Sequence, residues 1–334
     1  MSQSTARELS VRAPATPSAS LFLDRTMPWW PKRGADIVWK TTPVGTLATP
    51  RGFLGAALAG HKVYTFGGQT PESQGALDTV ESFDIESDQS VALPNLHLPH
   101  ARSSAAVVKV ASGSVYVCGG GDAHNGQAAT CYECIPPGGP WHAKADMPQT
   151  AVCVAGAADS DGRVYVIGGL QGVTPSKAVQ RFDPAVGTWS QVQALHAARF
   201  AAAAAAAGGK IYVFGGLDHK GYVESVEEYD PATDKWTVLT QPMMTPRYDL
   251  AAVTGSNGRI YVIGGMRQCS GVDLVEEFNP TTKSWKQMTP MPTPRYGVGV
   301  AATTDGRIFV LGGWRKISGT YLATGVIEEG TLPT

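Results

Sequence analysis

Six diglycines, each closing a short apolar run, constrain this chain more than any other feature. VYTFGG ends at Gly68, VYVCGG at Gly120, VYVIGG at Gly169, IYVFGG at Gly216, IYVIGG at Gly265 and IFVLGG at Gly313. The second glycines are 52, 49, 47, 49 and 48 residues apart. A period near fifty marks a repeat architecture in which no unit buries its apolar surface alone, so neighbours must stack. The 334 residues therefore read as one closed array, although length alone would allow two domains.

Other landmarks recur in phase. An aromatic thirteen residues beyond the second glycine (Phe182, Tyr229, Phe278, with Phe83 and Tyr132 nearby) is followed seven residues later by Trp189, Trp236 and Trp285. The segments between them read FDPAVGTW, YDPATDKW and FNPTTKSW. Asp or Asn followed by Pro suits the first two positions of a type I turn, because Pro presets φ and the side chain caps the turn backbone. Each segment is thus a tight connection between two strands. Every repeat then holds four short strands, at the spacing expected of all-β folds. In the fourth repeat they run about Phe200 to Ala207, Lys210 to Gly215, Val223 to Tyr229 and Trp236 to Leu239. Continuous apolar runs such as IYVFGG suit sheets covered on both faces by their neighbours, and such sheets arranged radially make a propeller.

With its diglycines and its Tyr/Phe-to-Trp spacing, the chain resembles the Kelch-repeat β-propeller family over about residues 36–329. The resemblance implies an all-β fold of six four-stranded blades. Residues 1–35 are expected to form a poorly ordered N-terminal tail and 330–334 a short C-terminal one. The last repeat ends without its fourth-strand tryptophan. Asp36 to Thr41 supplies it: IVWK leads into TPRGF as the corresponding strands lead into TPRYD and TPRYG, with Trp39 standing for Trp236 and Trp285. An N-terminal strand completing the last blade removes two free edges. Ala201 to Ala207 would favour a helix by propensity. In phase with the repeat, however, the segment aligns with the innermost strands, which converge on an axis with room only for small side chains.

Net charge is −1, and 16% of residues are charged, below the usual quarter of a soluble domain; radial stacking leaves less solvated surface per residue. No basic run with interleaved aromatics speaks for nucleic acid. No twenty-residue apolar stretch speaks for a membrane span, and no apolar core of a signal peptide lies in residues 1–35. The five cysteines make no disulfide-rich pattern. A cytoplasmic location follows as the default, with an organelle transit peptide as the minor alternative.

Strands alternate in direction, so the loop into strand one and the loop between strands two and three share one face of every blade. The first set repeats an arginine: Arg51, Arg102, Arg199, Arg247 and Arg295, with Ala151 in blade 3. The second set adds Arg267 and Arg315, and Tyr248, Tyr296 and Trp314 supply aromatic surface. Guanidinium forks bind carboxylates bidentately and stack on rings, so the rim is expected to take an acidic protein segment or an anionic small molecule. In Kelch adaptors that capture acidic peptides, arginines at this position carry recognition, which is what the resemblance implies here. The competing reading is that these arginines tie adjacent blades together.

For catalysis, Asp122 with His124, Asp218 with His219, and Tyr248 with Asp249 are candidate acid–base pairs. No P-loop, HExxH or nucleophile elbow is present. Cys131 and Cys134 resemble half a zinc site, but residues three apart on a strand face opposite sides, so no metal and no cofactor is expected. The favoured reading is a binding module with an arginine-rich rim. The alternative is a cofactor-independent enzyme of epimerase, isomerase or lyase type acting on an anionic substrate, since the family includes a bacterial sialic-acid epimerase.

Overall fold

Apolar alternation and Asp/Asn turns fold each period into a four-stranded antiparallel sheet, and six such sheets stand around one axis. The computed structural model describes residues 36–71, 75–124 and 126–333; the tail assigned to 1–35 lies outside them. Strand one is innermost in every blade: Gly55–Ala59, Ala106–Lys109, Ala155–Ala158, Ala203–Ala207, Ala251–Thr254 and Gly299–Ala302. Each packs beside the next, and the sixth returns to the first. The alanine run is strand, with alternate residues buried and half-buried. Register and the crowding of six strands at an axis override helix propensity.

The second strands are buried along nearly their whole length, Ile260–Ile263 completely, because blades cover both of their faces. Six apolar clusters form, one at each junction between blades. The turns between strands three and four follow the Asp/Asn-Pro reading. Asp183, Asp230 and Asn279 each accept a hydrogen bond from the backbone N–H two residues on. Each turn sets an aromatic directly opposite its tryptophan, with ring centroids 5.3 Å apart for Phe182 and Trp189, 4.9 Å for Tyr229 and Trp236, and 5.0 Å for Phe278 and Trp285.

Closure takes the expected form. Val38–Trp39 pairs with Val326–Thr331 as the outer strand of blade 6, and the Trp39 indole N–H donates to the Thr289 carbonyl at 3.0 Å. Asp36 fastens the entry by accepting from both the backbone N–H and the hydroxyl of Thr289. Two boundaries differ from expectation. The third strand of blade 6, Val326–Thr331, begins late, because Trp314–Ile317 and Thr320–Ala323 fold into a separate hairpin around a Ser318–Gly319 turn with positive φ at both residues. Leu332 is 5% exposed in the core beside Ile37, so the expected C-terminal tail is in large part packed structure.

Candidate functional site

The arginine that repeats before strand one is built into the blade. Arg51, Arg199, Arg247 and Arg295 are each 0% exposed. Their guanidiniums meet Glu81, Glu227, Glu276 and Glu328, each directly after a Val or Ile near the start of strand three, at 2.6, 2.7, 2.8 and 2.7 Å. Each also donates to the carbonyl of the first glycine of its own blade, Gly67, Gly215, Gly264 or Gly312. The arginine's backbone carbonyl in turn accepts from the second glycine of the preceding blade, as in Gly216 to Arg247 and Gly313 to Arg51. One residue thus fastens two blades, and burial pulls the pKa of Arg51, Arg199 and Arg295 down while the glutamates push it up. The expectation of seven guanidiniums around one mouth is corrected for these four, since buried and paired guanidiniums present nothing to a ligand. Blade 3 supports the assignment: where arginine becomes Ala151, glutamate becomes Gln180, whose amide bridges the N–H and carbonyl of Gln149.

Arg102 is the exception among the five. It is 4% exposed, but Tyr132 occupies the position of the glutamate, and its donors go to the Ala101 carbonyl and the Thr130 hydroxyl.

Two residues beyond each arginine position the backbone turns into positive φ at Phe53, Ser104, Cys153, Ala201, Asp249 and Gly297, between 51° and 59°. These residues form a belt around the axis. Phe53 donates to Gly297, Ser104 to Phe53, Ala201 to Cys153, Asp249 to Ala201 and Gly297 to Asp249, and Val154 donates to Ser104 across the remaining gap. The belt borders a cavity of about 240 Å³ also lined by Gln69, Phe200 and Tyr248. Asp249 is the belt's one carboxyl, half-buried at the axis. Desolvation raises its pKa to about 7, and burial followed by the charge of Asp249 raises the Cys153 thiol to about 12.

The outward part of this face is made by hairpins between strands two and three. In blades 4, 5 and 6 they span Leu217–Asp218 with Gly221–Tyr222, Met266–Arg267 with Ser270–Gly271, and Trp314–Ile317 with Thr320–Ala323. Their tips are tied together: Gln268 N–H donates to the Tyr222 hydroxyl, and the Tyr321 hydroxyl donates to the Cys269 carbonyl. An aromatic arc runs beneath them. Tyr222 lies 6.2 Å from Tyr248, Tyr296 lies 6.3 Å from Tyr321 and 5.9 Å from Phe53, and Phe53 lies 6.2 Å from Trp314. Tyr222, Ile317, Tyr321 and Leu322 are all exposed large hydrophobic residues. These hairpins carry Lys220, Arg267, Arg315 and Lys316 against one carboxylate, Asp218. Among the described residues none of the four cations forms an ion pair.

The candidate acid–base pairs are differently placed. Asp122 accepts from the N–H of His124 and of Gly126, which hold its carboxyl below the usual range, and Asp218 accepts from Lys220 and Gly221. Both carboxylates shape their own turns. The Tyr248 hydroxyl donates to the Met266 sulfur at 3.0 Å. Cys131 is bonded to Cys118, directly opposite in the neighbouring strand, and packs toward blade 3, whereas Cys134 packs toward blade 1. The two do not converge on a shared ion. Cys118 and Cys131 fall opposite each other through the strand pairing, which the irregular spacing of blade 2 obscures in the sequence.

A family model described as the KLHDC2/KLHL20/DRC7 Kelch-repeats domain matches residues 139–313, and a Kelch motif model matches residues 50–97. "Kelch repeat and BTB domain-containing protein 13" of Homo sapiens is 43% identical over 67 residues, covering 20% of this chain and 14% of that protein. "Beta-scruin" of Limulus polyphemus is 28% identical over 166 residues, 46% of this chain and 18% of that protein. The matched region spans less than a fifth of the length of either curated relative.

Proposed function

The chain belongs to the Kelch-repeat family, and we propose that it acts as a protein-binding module that takes an acidic, partly apolar partner segment on the hairpins of blades 4–6. Kelch propellers are typically protein-binding modules. One observation carries the finer reading: four Lys/Arg without an ion pair stand against one carboxylate beside the exposed Tyr222, Tyr321 and Leu322, on a chain of net charge −1. Tyr, Trp and Arg are the residues that anchor protein interfaces, because rings bury large area at low entropic cost and the guanidinium fork matches a carboxylate. Convergent cations also raise the local potential and steer acidic partners. Arg267 and Arg315, with the half-buried Tyr248 and Trp314, are the members of the expected rim that remain in this reading, while the buried Tyr296 supports Tyr321 from beneath.

The test is fluorescence anisotropy with acidic peptides that carry Leu or Tyr, against the same peptides with Asn and Gln replacing Asp and Glu. The acidic set is expected to bind and to weaken as salt rises, since exposed charges are screened over about 10 Å at 0.1 M. Arg267→Ala with Arg315→Ala should weaken it tenfold or more. Equal binding of acidic and neutral sets, or of wild type and double variant, would overturn the reading.

A second reading, an enzyme acting on a small anionic molecule, is favoured by Asp249 alone. A carboxyl with a pKa of about 7 beside a cavity is poised for general-base work. Turnover of any bound carboxylated sugar that disappears in Asp249→Asn would select it.

A further inference from the structure

The repeat supplies its own control for blade 2. In four blades a fully buried guanidinium is neutralised by the strand-three glutamate, and in blade 3 both partners are gone. Blade 2 keeps the cation and loses the anion. Tyr132 stands where Glu81, Glu227, Glu276 and Glu328 stand, opposite the residue two before the diglycine, and its ring lies 6.0 Å from that of His100. Beside the Arg102 guanidinium a cavity of about 370 Å³ opens on the hairpin face, lined by His100, Arg102, Asp122, His124 and Thr130. Burial pulls the Arg102 pKa down, only partly opposed by the charge of the Asp122 carboxylate. Asp122 directs one carboxylate oxygen to the N–H groups of His124 and Gly126, and its charge lies within reach of Arg102 without an ion pair. A desolvated cation whose counterion has been removed is costly, and a ligand that brings the counterion recovers that cost.

We propose that this cavity is a carboxylate-binding site, in which a carboxyl group supplied from outside takes the role that glutamate plays in blades 1, 4, 5 and 6, with Arg102 as its fork and His100 and His124 as flanking donors. The site is separate from the hairpin arc of blades 4–6. The carboxyl can come from a free small acid or from a Glu side chain of a partner, and the planar fork matches paired oxygens, which chloride lacks.

Titrate glutarate, N-acetyl-glutamate amide, chloride and sulfate at constant ionic strength into wild type, Arg102→Gln and Tyr132→Glu, reading melting temperature and calorimetric heat. Wild type should show a saturable response to the carboxylates alone. Arg102→Gln should bind at least tenfold more weakly. Tyr132→Glu is the decisive variant: it restores the internal pair, so it should melt higher than wild type without ligand and lose the carboxylate response. Tighter binding of the blocked glutamate assigns the source to a protein side chain, and tighter binding of glutarate to a free acid. An undiminished carboxylate response in Tyr132→Glu overturns the proposal, as does a wild-type response that chloride or sulfate reproduces. The Arg267/Arg315 double variant should titrate as wild type does, which separates this site from the hairpin arc.

Discussion

Arg247 is legible as a repeated residue, but its role depends on a partner nearly thirty residues away. It reaches Glu276 at 2.8 Å and the carbonyls of Gly264, Val262 and Thr245, with no exposure. Arg247→Ala leaves a buried glutamate uncompensated and should cost about 3–5 kcal/mol in chemical denaturation. Adding Glu276→Gln should recover part of that loss, because blade 3 folds with Ala151 and Gln180 at the same places. A double variant no more stable than Arg247→Ala would refute this account of the pair. Asp249 gives a pH signature of opposite character. Its folded pKa of about 7 lies above the ordinary 3.8, so between those values the folded state holds a proton that the unfolded chain has released. The carboxyl therefore costs nothing below pH 4, and stability falls as pH rises toward 7. The shift corresponds to about 4 kcal/mol at most, less where channel water screens the charge. Asp249→Asn should melt higher than wild type at pH 8 and similarly at pH 4; a parallel pair of pH profiles would refute it.

At the scale of elements, the diglycine is explained by approach distance as well as by φ. A Cβ on Gly215 would sit 2.5 Å from the Arg247 carbonyl, at φ +62°, and the equivalent atoms on Gly67, Gly168 and Gly312 would sit 2.1, 2.4 and 2.5 Å from the facing carbonyl. Gly209, in the hairpin between strands one and two, has φ +74° and open space around it. Gly209→Ala should cost about 1 kcal/mol through backbone strain alone, and Gly215→Val several times more, measured by thermal unfolding. Equal effects would mean that φ, not the neighbouring blade, dictates the glycine. This contrast also marks what the sequence could tell. Strands, turns and the outer strand around Trp39 are readable because each rests on a short-range pattern that recurs in several blades. The inter-blade role of the arginines stands in the sequence only as the competing reading, although its signal is there: VESF, VEEY, VEEF and IEEG place an acid at one phase, and Ala151 and Gln180 lose the pair together. The belt of positive φ at Phe53, Ser104, Cys153, Ala201 and Asp249 left no such trace, since hydrogen bonds between blades, not residue type, hold five non-glycine residues in that conformation.

For the whole molecule, closure resides in blade 6, whose inner three strands come from one end of the described chain and whose outer strand comes from the other. A chain beginning at residue 43 would lose Val38–Trp39, the Asp36 bonds to Thr289 and the cover over Met288 and Met291. It should melt well below a chain beginning at residue 31, and Trp39→Ala, at a half-buried site, should cost about 2–3 kcal/mol. Equal melting of the two truncations would place closure elsewhere. The belt around the axis has a different consequence. Its amides border an open cavity, where solvent access alone would let their protons exchange quickly. Yet those of Phe53, Ser104, Ala201, Asp249 and Gly297 are bonded to a neighbouring blade, so they cannot be released without parting two sheets. The slowest deuterium uptake in the molecule should then trace a hoop around the axial cavity, with a weak link at blade 3, where Val154 reaches the Ser104 carbonyl at 3.4 Å in place of Cys153.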